Sequence, residues 1–154
     1  MRKVMLLLTC VISLQGYCPE VEFKVEKFKE NPVNVLIKAI SYVESRYKLN
    51  AVNGKEDAYG HLQIRNCVVQ DVNRHFGTQY KVTDALDSLK AVDIFIKYQQ
   101  IYTSEFNPEV MARIWNGGPK GYLKSNTYNY WHQLVKPQMD RFNSVSSYYQ
   151  IIRI

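Results

Sequence analysis

The 154-residue chain has only three cysteines, and one of them, Cys10, falls in an N-terminal apolar run. Cys18 and Cys67 could form one disulfide in an oxidising compartment, and two cysteines exclude a disulfide-built scaffold. Seven glycines and five prolines exclude collagen-like and low-complexity architectures, and no repeat or heptad pattern is present. Histidine is scarce too. His61, His75 and His132 stand at no metal-ligand spacing with cysteine or carboxylate, so no metal and no cofactor are expected. Gly117-Gly118-Pro119-Lys120-Gly121 lacks the Walker spacing and a preceding strand, which removes a phosphate loop. Cys67 and His75 have no third partner for nucleophilic catalysis, and Cys67 is expected to be buried. After residue 14 no stretch is apolar enough to span a bilayer.

The early apolar run is informative. Met1-Arg2-Lys3 is followed by the 11 residues Val4 to Leu14, and polarity returns at Gln15-Gly16-Tyr17. That layout predicts a secretory signal over residues 1–17, too short for a transmembrane helix. The mature chain is then expected in the periplasm or cell envelope. A lipid anchor at Cys18 is the less favoured reading, because Tyr17 is a poor fit for the small residue that lipoprotein signals place there. Loss of Arg2 and Lys3 changes 20 basic against 14 acidic residues to 18 against 14, a charge of +4. This suits an anionic partner, but the charges are scattered, and an exported protein rarely meets nucleic acid, which is therefore not expected as a partner. Twelve Tyr, six Phe and two Trp give the domain an unusual supply of flat amphipathic rings. Tyr98, Tyr102, Trp115 and Trp131 are candidates for a sugar-stacking wall, although core positions are the default for at least half of them.

Residues 18–30 read as a connector, 31–142 as one mainly helical domain, and 143–154 as a strand-like tail without an assigned place. Asn31-Pro32 starts a helix whose apolar residues, among them Leu36, Ile40 and Val43, recur every three or four positions until it fades near Leu49-Asn50. A second helix is predicted from Asn66 to Phe76, closed by Gly77. Asp84 or Asp87 starts a third, with Leu86, Leu89, Phe95, Ile96 and Ile101 as its buried stripe. Asn107-Pro108 opens a fourth, ending at Gly117-Gly118-Pro119, and Asn126 or Thr127 a fifth, stopped near Pro137.

Glu44 is the leading candidate for chemistry. It lies near the end of the first helix, four residues after Ile40 and three before Tyr47, on or beside the apolar stripe. A carboxyl held against apolar side chains keeps its proton towards neutral pH and can act as a general acid. Periodicity alone favours the plainer alternative, an exposed carboxylate paired with Arg46 or Lys48.

The residues that follow shift that balance. Glu44-Ser45, then Gly60-His61-Leu62-Gln63-Ile64, then Ile114-Trp115-Asn116-Gly117-Gly118, and finally Asn126-Thr127 with Tyr130 form an ordered series. It resembles the motifs of the lytic transglycosylases of the soluble type, in the lysozyme-like superfamily: a Glu-Ser pair, Gly-Leu-Met-Gln-Ile, Ala-Tyr-Asn-Ala-Gly and Glu-Thr-x-x-Tyr-Val. Residues 84–98 are similar to the family's Asp-Pro and following helix, so the resemblance covers about residues 33–135. It implies a lysozyme-like fold, mainly α, with an active-site cleft, and cleavage of the MurNAc–GlcNAc β-1,4 bond of peptidoglycan. Glu44 would be the single acid/base, closing a 1,6-anhydro ring without water. Ser45 and Gln63 would contact or orient the sugar, and Trp115 and Asn116 would line the cleft. Gly60 and Gly117 would let the backbone approach the ligand, and Tyr130 would hold Glu44.

The chain departs from the pattern at His61-Leu62, Trp115 and Asn126, which bears on subsites more than on the catalytic residue. Two rivals stand beside this reading. A goose-type muramidase would use Glu56 or Asp57 to activate water, although a solvated turn is the favoured reading of that pair. A wall-binding or assembly component would keep the cleft without turnover. The domain is expected to be monomeric, with peptidoglycan strands as partner, and is small enough to serve an envelope-spanning machine.

Overall fold

The computed structural model describes residues 23–27, 30–145 and 149–153. The predicted leader and Cys18 lie outside the described residues. Helix α1 (Pro32–Ser45) starts as the sequence predicts: Asn31 Oδ1 accepts the Val33 amide hydrogen at 2.9 Å and Pro32 takes the first position. It ends at Ser45, four or five residues earlier than expected. Arg46 and Tyr47 both turn left-handed, with φ of 54° and 64°, and the Arg46 guanidinium sits 4.1 Å over the Tyr42 ring. Glu44 is thereby left in the final turn.

The polar stretch after α1 folds into a three-stranded antiparallel sheet in sequential order. Its strands are β2 (Val52–Asn53), β3 (Ala58–Tyr59) and β4 (Ile64–Arg65), preceded in the chain by β1 (Phe23–Lys27). Helix α2 (Asn66–Phe76) has the predicted bounds and closes on Gly77 at φ 65°. A 3₁₀ turn, Val82–Leu86, leads to α3 (Ser88–Tyr102), capped by Asp87 Oδ1 on the amides of Leu89 and Lys90. The expected stripe of α3 is corrected by the burial of its residues. Leu89 falls in the first turn, off the buried face, and is 80% exposed, and Leu86 is exposed as well. Ala91, Ile94, Phe95, Tyr98 and Gln99 are buried instead, and Ile96 and Ile101 are partly buried.

Helix α4 (Pro108–Gly117) begins at the Asn107 cap as predicted. Beyond it, α5 (Asn126–Asn129) passes through a π-helical segment, Tyr130–Val135, into α6 (Lys136–Val145). Pro137 therefore does not stop the helix. The Lys136 amide reaches back five residues to the Trp131 carbonyl, and this wider turn accommodates the residue that lacks an amide hydrogen. The tail finds a place as well: β5 (Tyr149–Arg153) pairs antiparallel with β1, Lys27 opposite Tyr149 and Phe23 opposite Arg153.

One core joins α1, α2, α3, α4, β4, the π-helical segment and α6. Leu36 and Ile40 of α1 meet Leu62, Ile64, Val72, Phe95, Ile114 and Val135, all fully buried. Burying a side chain of this size contributes roughly 1.5–3 kcal/mol relative to exposure, so α1 is fixed at the centre, and with it the carboxyl at its end.

Candidate active site

A cleft of about 400 Å³ opens at the end of α1, within the range of pockets that hold small ligands. Five of the eight residues singled out from the sequence line it: Glu44, Gln63, Trp115, Asn116 and Gly117. Among the described residues, Glu44 is its one lining carboxyl. Tyr130, at the start of the π-helical segment, is buried and donates its hydroxyl hydrogen to Glu44 Oε1 at 2.6 Å. Removal from water raises the pKa of the half-buried Glu44 above the ordinary carboxyl value. The Tyr130 hydrogen bond and the Arg65 charge oppose that rise, and Glu56 adds to it. The plainer alternative for Glu44 fails on geometry, because its carboxyl meets Tyr130 and not Arg46 or Lys48.

Ser45 does not line the cleft. Its Oγ donates to the His61 carbonyl at 2.9 Å and ties the end of α1 to the segment that carries Gln63. His61 is buried rather than facing the cleft: its Nδ1 lies 2.9 Å from Ser41 Oγ, and burial lowers its pKa. Gln63 holds a left-handed backbone at φ 52°, a strained state for a residue with a side chain. Its Nε2 donates to the Gly60 carbonyl at 2.9 Å.

Gly60 has a different task from the expected one. A Cβ there would lie 1.8 Å from the Ala85 carbonyl oxygen, so this glycine admits the neighbouring backbone and not a ligand. Gly117 does line the cleft, but a Cβ on it would meet Thr127 Cγ2 at 2.6 Å, so its smallness serves the packing of α4 on α5.

The aromatic wall is half realised. Tyr98 and Trp115 both line the cleft. Trp115 packs on Phe95 with centroids 4.8 Å apart, stands edge-on to Tyr98 at 5.8 Å and donates Nε1–H to the Leu62 carbonyl at 3.3 Å. Tyr102 is held by Asp71 at 2.8 Å behind Tyr98, and Trp131 belongs to the core.

Glu56 and Asp57 are exposed and do not line the cleft; Glu56 pairs with Arg65. Cys67, expected to be buried, is exposed in the first turn of α2 and lines the cleft. Arg65 and Lys124 also line it and were missed. Arg65 was readable, since it follows buried Ile64 in a short strand and so faces away from the core. Lys124 comes from a loop 80 residues beyond Glu44 and carries no local signal. No group of three metal-ligating side chains occurs among the described residues, and no helix among them is long and apolar enough to cross a membrane.

No curated protein sequence matches the chain. One chain in the crystal structure of Aeromonas hydrophila PliI in complex with Meretrix lusoria lysozyme superposes with a TM-score of 0.57 at 24% identity, over 70% of this chain and 92% of that one. At that identity the likeness bears on the fold, which is lysozyme-like. The family described as the transglycosylase SLT domain matches residues 22–137. With three quarters of the chain inside that match, the protein belongs to the transglycosylase SLT domain family.

Proposed function

We propose that the protein is a peptidoglycan lytic transglycosylase in which Glu44 is the sole acid/base. One observation carries this reading: the one carboxyl that lines the cleft among the described residues has a raised pKa and is held by a buried tyrosine. Protonated Glu44 gives its proton to the glycosidic oxygen as the C1–O bond breaks. The neighbouring N-acetyl group supports the positive charge left at C1, as in glycosidases that need no second carboxylate. The Glu44 carboxylate then takes the proton of the muramyl 6-hydroxyl, whose oxygen closes on C1 to form the 1,6-anhydro ring. Glu44 ends the cycle protonated, as it began. Gln63, Trp115, Asn116 and Gly117 bind the glycan, and Ser45 acts as a positioning residue through the His61 carbonyl.

The substrate lies outside the cytoplasmic membrane, which agrees with the leader read from residues 1–17; export to the periplasm or envelope, as a monomer or within an envelope machine, is part of this proposal. The exposure of Glu56 and Asp57 supports anhydro-ring closure over the muramidase route. Incubation with purified peptidoglycan and mass spectrometry of the released muropeptides tests the reading. Anhydro-muramyl products from the wild type, falling by about 10²- to 10⁴-fold in Glu44→Gln, are expected. Products heavier by one water would assign a muramidase. Intact wall binding with no product from the wild type would assign a non-catalytic component.

A further inference from the structure

Two cations in the cleft contact no reacting group in the mechanism above. Arg65 and Lys124 line it together with Glu44, and no other charged side chain does so among the described residues. Both are exposed. Arg65 uses Nη2 to hold Glu56 at 2.5 Å, in a pair whose side chains are 50% and 54% exposed. An ion pair so open to water adds little net stability, so a substrate carboxylate can share or replace Glu56 at small cost. The rest of the guanidinium is a planar fork of donors that matches a carboxylate in bidentate geometry. Lys124 Nζ donates to the Gly117 carbonyl at 2.5 Å, which fixes the ammonium beside Asn116-Gly117 and leaves two donors for a ligand.

A neutral sugar backbone offers these charges only hydroxyl and carbonyl oxygens, weaker acceptors than a carboxylate. Peptidoglycan differs from other β-1,4 glycans of N-acetylated sugars in the acid carried on alternate residues: a lactyl group, itself a carboxylate or amide-linked to a peptide stem with carboxylates of its own. We propose that Arg65 and Lys124 form a carboxylate-recognising subsite that selects muramyl residues by the acidic group they carry. This rests on peptidoglycan being the substrate. It adds a residue-level cause for choosing peptidoglycan over a neutral polymer.

Binding tests it without turnover. Glu44→Gln full-length protein is titrated with solubilised glycan chains in three forms: carrying peptide stems, stripped of stems by an amidase so that only lactyl carboxylates remain, and with amines acetylated and carboxyls capped as amides. The expected result is binding about tenfold or more tighter for carboxylate-bearing chains than for capped ones, as charge-assisted contacts imply. Adding Arg65→Gln or Lys124→Gln should reduce that ratio, and the pair together should bring it close to one. Persistence of the ratio in stripped chains assigns the lactyl carboxylate, and its loss there assigns the peptide stem; either supports the subsite. A ratio near one before the substitutions, or one that survives both, overturns it, as does failure to bind any of the chains. Melting curves of the variants, both at exposed sites, check that folding is unchanged. The subsite and the enzymatic reading fail separately: wild-type protein that releases no product while keeping the ratio sinks the enzyme and leaves the subsite.

Discussion

Tyr130 and Glu44 are 86 residues apart in the chain and 2.6 Å apart in the fold, hydroxyl to carboxyl. Burial, followed by the charge of Glu44, raises the pKa of Tyr130 well above the ordinary phenol value, so the phenol remains the donor. Its hydrogen bond favours the ionised form of Glu44 and thus restrains a pKa that burial drives upward. Tyr130→Phe removes the restraint. The pKa of Glu44 should move further up, carrying the alkaline limb of the pH–rate profile to higher pH, while loss of orientation lowers the maximal rate by about tenfold or more. Rates on purified peptidoglycan across pH check this, and a downward shift of that limb would refute it.

Glu56→Gln and Asp57→Asn separate the proposed mechanism from water activation by a second carboxylate. Both side chains are exposed and outside the cleft lining. Glu56 touches the chemistry through its charge, which nudges the Glu44 pKa upward, and the cleft through its pair with Arg65. Either variant should keep its rate within about threefold of wild type, against the 10²-fold or greater loss expected for a true general base. Glu56→Gln should also shift the alkaline limb slightly downward. A collapse in turnover for either one would restore the muramidase reading.

The raised pKa of Glu44 predicts a pH-dependent stability cost. The folded pKa lies above the ordinary 4.5, so ionisation opposes folding. The cost is absent below that ordinary value and grows as pH rises through the folded-state pKa. Glu44→Gln keeps an oxygen for Tyr130 to donate to but cannot ionise. It should therefore melt higher than wild type at neutral pH, with the difference closing as pH falls towards 4.5. Paired thermal melts across this range check it; a difference that does not depend on pH would count against burial as the cause.

Much of the fold could be read where a signal is local. Asn31-Pro32, Asn107-Pro108 and Gly77 each act on their own neighbours, and each starts or ends a helix at the predicted place. Leu89 misled because it stands two residues before Ala91, off the 91, 94, 95, 98 stripe that α3 buries. Pro137 misled because the π-helical turn before it absorbs the missing amide. The same divide runs through the site. Glu44, Gln63 and Asn116 stood out through ordered motifs, whereas Lys124 joins the cleft only by long-range folding and Cys67 only because α2 begins beside it. Ser45 and Gly60 belong to the same motifs but do not line the cleft: one ties α1 to His61, and the other admits the Ala85 backbone.

Gly60 and Gly77 make the sharpest test of that last distinction. Both are left-handed, at φ 75° and 65°, so alanine costs each about 1–2 kcal/mol in backbone strain. Around Gly77 there is nothing within 4 Å, and strain is the whole cost. At Gly60 the new Cβ would lie 1.8 Å from the Ala85 oxygen, and the backbone must move to make room. Overpacking of that kind adds about 1–3 kcal/mol. The movement also reaches the site, because the Gly60 carbonyl accepts both the Gln63 amide, at 3.1 Å, and its Nε2. Gly60→Ala should thus lower the melting temperature by about 10 °C or more. Gly77→Ala should lower it by only about half as much, with full turnover retained. Residual activity of folded Gly60→Ala should drop because Gln63 is displaced. Equal melting temperatures for the two variants would show that the close approach to Ala85 is not what the glycine provides.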